Sequence, residues 1–120
     1  MATREYYRRP DATDLAKISD GDRFWHRMGD VGYLDDEQRF WFCGRKSQRV
    51  VTGNQTLFTV PCEAVLNRHP RVYRSALVAV GSAASPRVAM IVELWPDKGC
   101  DGRAEQQELC EELLKLAQAD

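Results

Sequence analysis

The sequence has neither an excess of one charge nor a long apolar run. Its 17 basic residues nearly cancel its 18 acidic residues, which leaves a formal net charge of −1. Such a balance produces no overall field that would attract nucleic acid or an anionic membrane. No apolar run approaches the roughly 20 residues that a membrane-spanning helix needs. We therefore expect a soluble protein with no nucleic-acid partner and no membrane span.

Cysteines are few, and their spacing is typical of neither a metal site nor a disulfide framework. The four are Cys43, Cys62, Cys100 and Cys110, with no CxxC pair and no signal peptide. Cys62 and Cys110 each fall on the apolar face of a predicted helix, where a reduced thiol behaves as a small hydrophobic group. We expect reduced thiols in a cytoplasmic protein, and no metal ligands.

The remaining composition is that of an ordinary globular chain. Of the 120 residues, 43% are hydrophobic and 29% are charged, and aromatic residues are spread along the length. This length suits one modest domain with a packed core and falls far short of a multi-domain enzyme.

The first 44 residues predict a short helix and then a small β-meander. A single apolar period from Ala12 to Ile18 indicates one helix of about two or three turns. Between Phe24 and Cys43, aromatic residues, turn residues and a local alternation favour two or three short antiparallel strands.

From Arg45 onward the predicted order is strand, helix, strand, strand, helix. The short strand lies at 49–51, and an amphipathic helix begins near Pro61 and stops at His69-Pro70. Apolar strands at 72–80 and 87–94 are joined by a loop over 81–86, and Leu109 and Leu113 belong to a final amphipathic helix. The predicted fold class is α+β, with helices packed on one side of a small antiparallel sheet.

Two polar residues near the predicted meander have chemistry suited to a nucleotide. Asp30 follows a glycine, so its carboxylate can accept two hydrogen bonds from a diol such as a ribose. Arg45, fifteen residues later and also after a glycine, has a planar guanidinium suited to a phosphate or ribose oxygen. From local structure alone, the more favoured interpretation is that Asp30 caps a turn and that Arg45 is a surface residue. This interpretation and nucleotide binding both stay open.

The segments around these residues resemble core motifs of the adenylate-forming superfamily of acyl-CoA synthetases, peptide-synthetase adenylation domains and luciferases. The family's Arg-x-Gly-Asp-x-Gly-Tyr segment and its later Gly-Arg-Lys segment are matched, in order and with the same separation, by 27–33 and 44–46. Flanking segments at 6–13, 61–65 and 69–72 are also similar to family motifs. The residues of these segments are most similar to those of the β-lactone synthetases of bacterial olefin biosynthesis and of related fatty-acid CoA ligases.

The resemblance implies ATP-dependent activation of a fatty or β-hydroxy fatty acid to an acyl-adenylate, followed by thioester or β-lactone formation. It implies that Asp30 binds the ribose hydroxyls, that Phe42 lines the nucleotide pocket and that Arg45 contacts the ribose or α-phosphate. The implied cofactors of the whole enzyme are ATP or AMP with Mg²⁺, and coenzyme A where a thioester is the product. The acyl chain and the oligomeric state stay open.

The resemblance also places a hinge and a domain boundary. The family's hinge position is Ser47, with Lys46 beside it as a stand-in for the usual Asp or Lys. Residues 1–44 then correspond to the tail of the large domain, and 45–120 to an incomplete small domain. Gln38 occupies a turn position where the family has glycine, which predicts modest strain if that position has a positive φ. The family's double-glycine loop is reduced to 52–55, which weakens the case for coenzyme A.

Two catalytic features of the family have no match in these residues, namely the upstream phosphate loop and the catalytic lysine. Lys115 falls in a predicted helix and Lys98 in a turn, so we assign no catalytic residue. We expect a piece of a larger enzyme, inactive by itself, whose missing partner is the large domain. The alternative is a stand-alone nucleotide-binding or protein-interaction module. A third hypothesis, a small RNA-binding sheet, is disfavoured by the net charge.

Overall fold

The computed structural model describes residues 3–82 and 84–119 and divides into two compact units. The first unit ends at Asp30 and the second begins at Val31. The predicted boundary between 44 and 45 concerns the domains of a longer enzyme and stays a prediction.

The first unit consists of one short helix and one hairpin. Helix α1 spans Pro10–Ala16, strand β1 spans Lys17–Asp20 and strand β2 spans Arg23–His26. Proline suits the first turn of α1 because the backbone N–H groups there have no partner within the helix. Ile18, predicted to end the helix, instead lies in β1 opposite Trp25. A β-branched residue packs better in a paired strand than in a helix, which explains the correction.

Two small hairpins follow, and the first of them begins at Asp30, the last residue of the first unit. Strand β3 spans Asp30–Leu34 and pairs with β4, Phe40–Arg45, while β5, Val50–Val51, pairs with β6, Thr56–Leu57. The strands expected between Phe24 and Cys43 are thus β2, β3 and β4, which belong to two hairpins. Helix α2 follows at Thr59–Leu66, with Pro61 in its first turn as predicted.

A long hairpin and a helix complete the second unit. Strand β7 spans Val72–Ser82, β8 spans Ser85–Leu94 and helix α3 spans Arg103–Ala119. The predicted loop over 81–86 is shorter in the structure, because Gly81 pairs with Pro86 and Ser82 with Ser85. Residue 83 of that predicted loop lies outside the described residues.

The core lies between the β7–β8 hairpin and the two helices α2 and α3. Its buried centre is formed by Leu66, Val72, Leu109 and Leu113, against which Met90, Val92 and Leu94 pack. Each such side chain contributes about 1.5–3 kcal/mol when it is fully buried. The predicted α+β class is therefore confirmed. Of the helices in the described residues, none is both long enough and apolar enough to cross a bilayer.

Arg71 joins the beginning of β7 to the beginning of α3. Its Nη2 donates to the carbonyl oxygen of Gly99 and to Oε1 of Glu105, both at 2.8 Å. Glu105 in turn accepts a hydrogen bond at Oε2 from the backbone N–H of Asp101, at 2.6 Å. These contacts hold the connection between β8 and α3 against the sheet.

All four cysteines are free thiols. Cys62 is half-buried in α2, where burial first and the charge of Glu63 second raise the pKa of its thiol. Cys110, which the sequence placed on the apolar face of the last helix, is exposed in α3. The inward face of α3 is formed instead by Leu109 and Leu113, its two buried residues.

Candidate functional site

The nucleotide-binding residues proposed from the sequence all lie in the β3–β4 hairpin. Asp30 is the first residue of β3, Phe42 lies within β4 and Arg45 is the last residue of β4. Asp30 is also the last residue of the first unit, whereas Phe42 and Arg45 belong to the second unit. Phe42 is 46% exposed, and Arg45 is also exposed.

The turn of this hairpin is held by the carboxylate of Asp35. Its Oδ1 accepts hydrogen bonds from the backbone N–H groups of Glu37 at 3.1 Å and Arg39 at 2.8 Å. Its Oδ2 accepts from Nε of Arg39 and from Nε1 of Trp41, both at 2.7 Å. The bond from the Trp41 indole is the largest cause that lowers the pKa of Asp35, and the bonds from Arg39 and Glu37 add to it.

Asp35 is a functional candidate that the sequence interpretation treated only as a turn residue. A signal was available, because aspartate at the start of a turn commonly accepts hydrogen bonds from backbone groups two residues later. The additional bond to Trp41 had no comparable local signal, since it requires that the two strands be paired.

The end of β4 is fixed by close packing against α2. Cys43 and Gly44 are buried, and Gly44 has a φ of +120°. A Cβ atom on Gly44 would collide with Oγ1 of Thr59, which is buried in the first turn of α2. Glycine therefore permits a close approach that positions Arg45, the next residue.

The proposed hinge residues, Lys46 and Ser47, lie in an exposed turn between β4 and β5. The N–H of Gln48 donates to the carbonyl oxygen of Arg45 at 3.0 Å, and Nη1 of Arg49 donates to that of Lys46 at 2.8 Å. The role of this turn as a hinge stays a prediction.

The two lysines considered as catalytic candidates lie where the sequence placed them. Lys115 lies within α3. Lys98 follows β8 in a turn, and its Nζ donates to the carbonyl oxygen of Pro70 at 2.9 Å. Neither is assigned a catalytic role.

The described residues, 3–82 and 84–119, hold no group of three or more His, Cys, Asp or Glu side chains that could bind a metal ion. The Mg²⁺ implied by the resemblance stays a prediction.

Comparison with known proteins finds close relatives. The chain is 47% identical over 108 residues to an olefin beta-lactone synthetase of Xanthomonas campestris pv. campestris, a match that covers 86% of this chain and 19% of that protein. It is 36% identical over 77 residues to a crotonobetaine/carnitine–CoA ligase of Proteus mirabilis, with 64% of this chain and 14% of that protein covered. No protein-family model matches.

A similar fold is present in solved structures. The amide bond synthetase McbA from Marinactinospora thermotolerans superposes with a TM-score of 0.71 at 27% identity. That match covers 96% of this chain and 21% of McbA. The chain thus spans about a fifth or less of the length of the relatives that it matches.

Proposed function

The chain is homologous to the C-terminal region of the adenylate-forming, AMP-dependent ligases, and from this premise we propose that its protein activates a carboxylic acid with ATP. The product of that step is an acyl-adenylate, with release of pyrophosphate. The observation that carries the proposal is the 47% identity over 108 residues to an olefin beta-lactone synthetase.

For the second step we propose β-lactone formation from a β-hydroxy fatty acid. The substrate's own hydroxyl oxygen attacks the carbonyl carbon of the adenylate, a C–O bond forms, the bond from the acyl carbon to the AMP oxygen breaks, and the hydroxyl proton is lost. The higher identity to the beta-lactone synthetase than to the CoA ligase, 47% against 36%, supports this choice. The loop of residues 52–55, which carries only one glycine, also supports it.

Thioester formation with coenzyme A is the second candidate. It is favoured by the match to the crotonobetaine/carnitine–CoA ligase, which covers 64% of this chain. The two candidates share the first step and differ in the nucleophile that attacks the adenylate.

We propose that Asp30, Phe42 and Arg45 bind the nucleotide. The Asp30 carboxylate would accept hydrogen bonds from the ribose hydroxyls, and the planar guanidinium of Arg45 would donate to a ribose or α-phosphate oxygen. The exposed ring of Phe42 offers an apolar surface to the base. The location of Phe42 and Arg45 in one strand, β4, supports a shared site for these two residues.

The rest of the proposal concerns partners and motion. Residues 1–44 would complete a large domain that supplies the phosphate-binding groups, and 45–120 would belong to a small domain that rotates about Lys46 and Ser47. The exposed turn containing these two residues supports that role. The four free thiols support a reducing compartment such as the cytoplasm.

The test is a chimera in which this chain replaces the matching 108 residues of the Xanthomonas campestris synthetase. We expect acid-dependent pyrophosphate release and β-lactone formation by the chimera. Asp30→Ala and Arg45→Ala should each lower kcat/KM for ATP by about 10- to 100-fold, because each removes hydrogen bonds to a charged group.

Matched controls are Asp36→Ala and Arg87→Ala, which change exposed residues outside the proposed site. These should leave kcat/KM for ATP within about twofold of the parent chimera, as surface changes usually do. A folded chimera that activates no acid, or site variants that behave like the controls, would contradict the proposal. Product that requires added coenzyme A would favour the second candidate.

A further inference from the structure

The β3–β4 hairpin has large apolar side chains exposed on both faces. Tyr33, Phe40, Trp41 and Phe42 are 58%, 60%, 49% and 46% exposed. Where burial does not distinguish the two faces, the hydrophobic pattern specifies strand register only weakly. A two-stranded hairpin is also marginally stable by itself in water. Within the described residues, apolar burial therefore does not set the register of this hairpin.

The conformation of the turn does not set the strand register by itself. Gln38 has a φ of +62°, in the left-handed region that disfavours residues with a Cβ atom. The sequence predicted strain at Gln38 if its φ was positive, and the structure confirms that it is positive. The conformation costs on the order of 1–2 kcal/mol, so other contacts must hold the turn in place.

The Asp35 carboxylate supplies those contacts. Its two oxygens accept four hydrogen bonds, from the backbone of the turn at Glu37 and Arg39, from the Arg39 side chain and from the Trp41 indole. The Arg39 guanidinium is also bound to Glu37 at 2.7 Å. One side chain therefore connects the turn backbone to a side chain within β4.

Trp41 extends this connection to the opposite strand. Its ring stacks on Tyr33 of β3, with centroids 6.4 Å apart and an interplanar angle of 12°. The Arg39 guanidinium lies 5.9 Å from the centroid of the same ring. On β3, a Cβ atom on Gly32 would collide with the carbonyl oxygen of Trp41 and with the Phe40 ring. The cross-strand packing thus suits one register.

Register decides which face carries Phe42. Successive side chains of a strand point to opposite faces, so fixing Trp41 on one face presents Phe42 on the other. A slip of one residue would reverse the two faces. It would also shift the end of β4, where Arg45 lies.

We propose that Asp35 is a positioning residue of the nucleotide site: by holding the turn and the Trp41 indole, its carboxylate fixes the β3–β4 register and so places Phe42 and Arg45. This inference rests on the proposed function, because it assumes that these two residues contact the nucleotide. The role proposed for Asp35 is to position Phe42 and Arg45, not to contact the nucleotide.

The first test compares Asp35→Asn with Asp36→Asn in the chimera described above. Asp36 is the adjacent exposed carboxylate of the same turn and provides the matched control. We expect Asp35→Asn to raise KM for ATP by about tenfold, corresponding to about 1.4 kcal/mol, with kcat at saturating ATP changed less than threefold. Asp36→Asn should change neither. Equal ATP KM values in the two variants would overturn the proposal.

A second variant keeps the proposal testable if Asp35→Asn does not fold. Trp41→Phe keeps an aromatic ring for Tyr33 but removes the indole donor, and it should raise KM for ATP by about threefold or more. If Trp41→Phe and the parent chimera have the same KM, the proposal is wrong even if Asp35→Asn does not fold.

The third measurement uses this chain alone and does not depend on activity. In NMR spectra, Asp35→Asn should weaken cross-peaks between Tyr33 and Trp41 while the β7–β8 cross-strand peaks are retained. Intact Tyr33–Trp41 contacts in the variant would overturn the inference. An inactive parent chimera would instead contradict the proposed function, and the spectra would still decide the role of Asp35 in the register.

Discussion

At the scale of single residues, Gly44 is a position that tolerates a side chain poorly. Its φ of +120° disfavours any residue with a Cβ atom, and Oγ1 of Thr59 occupies the space that a Cβ atom would need. A strained backbone conformation costs on the order of 1–3 kcal/mol. We expect Gly44→Ala to lower the free energy of unfolding of this chain by at least that amount, as measured by urea denaturation.

The matched control for this prediction is Gly53→Ala. Beyond its chain neighbours, no atom lies within 4 Å of the position that its Cβ would take, and its φ is not in the left-handed range. The change should stay within about 0.5 kcal/mol, as for other exposed sites. Equal losses of stability at the two glycines would show that the packing of β4 on α2 does not explain the choice of residue at position 44.

Residue chemistry in the candidate site was partly readable from the sequence. Asp30 and Arg45 each follow a glycine, and a carboxylate and a guanidinium suit a ribose and a phosphate wherever they lie. That Gly44 is packed against Thr59 was not readable, because the two residues belong to different elements. The roles of Asp30 and Arg45 in binding a nucleotide stay a prediction.

At the scale of elements, the connection between β8 and α3 depends on Glu105. A carboxylate in the first turn of a helix is also favoured by the helix dipole. The backbone hydrogen bond from Asp101 lowers the pKa of Glu105 most, and the hydrogen bond and charge of Arg71 lower it further. A lowered pKa in the folded state means that the ionised form stabilises this junction.

We therefore expect the junction to loosen in acid. The stabilisation is fully present above the usual pKa of 4.5 and is lost as the pH falls through the lower pKa of the folded state. Amide hydrogen exchange in the first turn of α3, corrected for intrinsic rates, should accelerate below about pH 4.5.

Two variants test the cause of this acid effect. Glu105→Gln should exchange faster already at pH 7 and should lose most of the acid dependence. Glu108→Gln, in the same helix but exposed, should keep the original pH profile. Identical profiles for Glu105→Gln and the unchanged chain would refute the role of Glu105.

Element types were predicted better than element ends. The strands of the β7–β8 hairpin and the helix beginning near Pro61 follow from apolar runs and from one proline, which are local signals. The end of α1 was wrong, because the pairing of Ile18 with Trp25 is a contact between strands. The exposure of Cys110 was not predictable, because helical periodicity does not show which stripe of α3 finds a partner.

At the scale of the whole molecule, the chain spans 19% of the length of the Xanthomonas campestris beta-lactone synthetase. Stabilisation of developing phosphate charge by positioned groups is the main contribution to adenylate formation. The sequence has no match to the family's phosphate loop or to the context of its catalytic lysine. We expect this chain alone to show no acid-dependent exchange of pyrophosphate into ATP.

The parent chimera, assayed at equal concentration with the same fatty and hydroxy acids, is the positive control for this experiment. Exchange by the isolated chain well above the background of a heat-denatured sample would contradict the expectation. It would instead favour a module that carries its own activity.

The sequence by itself determined the α+β class, the positions of most elements and the similarity to adenylate-forming ligases, because periodicity, turn residues and short motifs are all local. Only the tertiary structure decided which side chains meet. Arg71 and Glu105 are 34 positions apart, and the bond from Trp41 to Asp35 spans six residues across a hairpin turn. Such contacts depend on strand register and on the packing of helices against the sheet, and these are properties of the folded chain rather than of any segment.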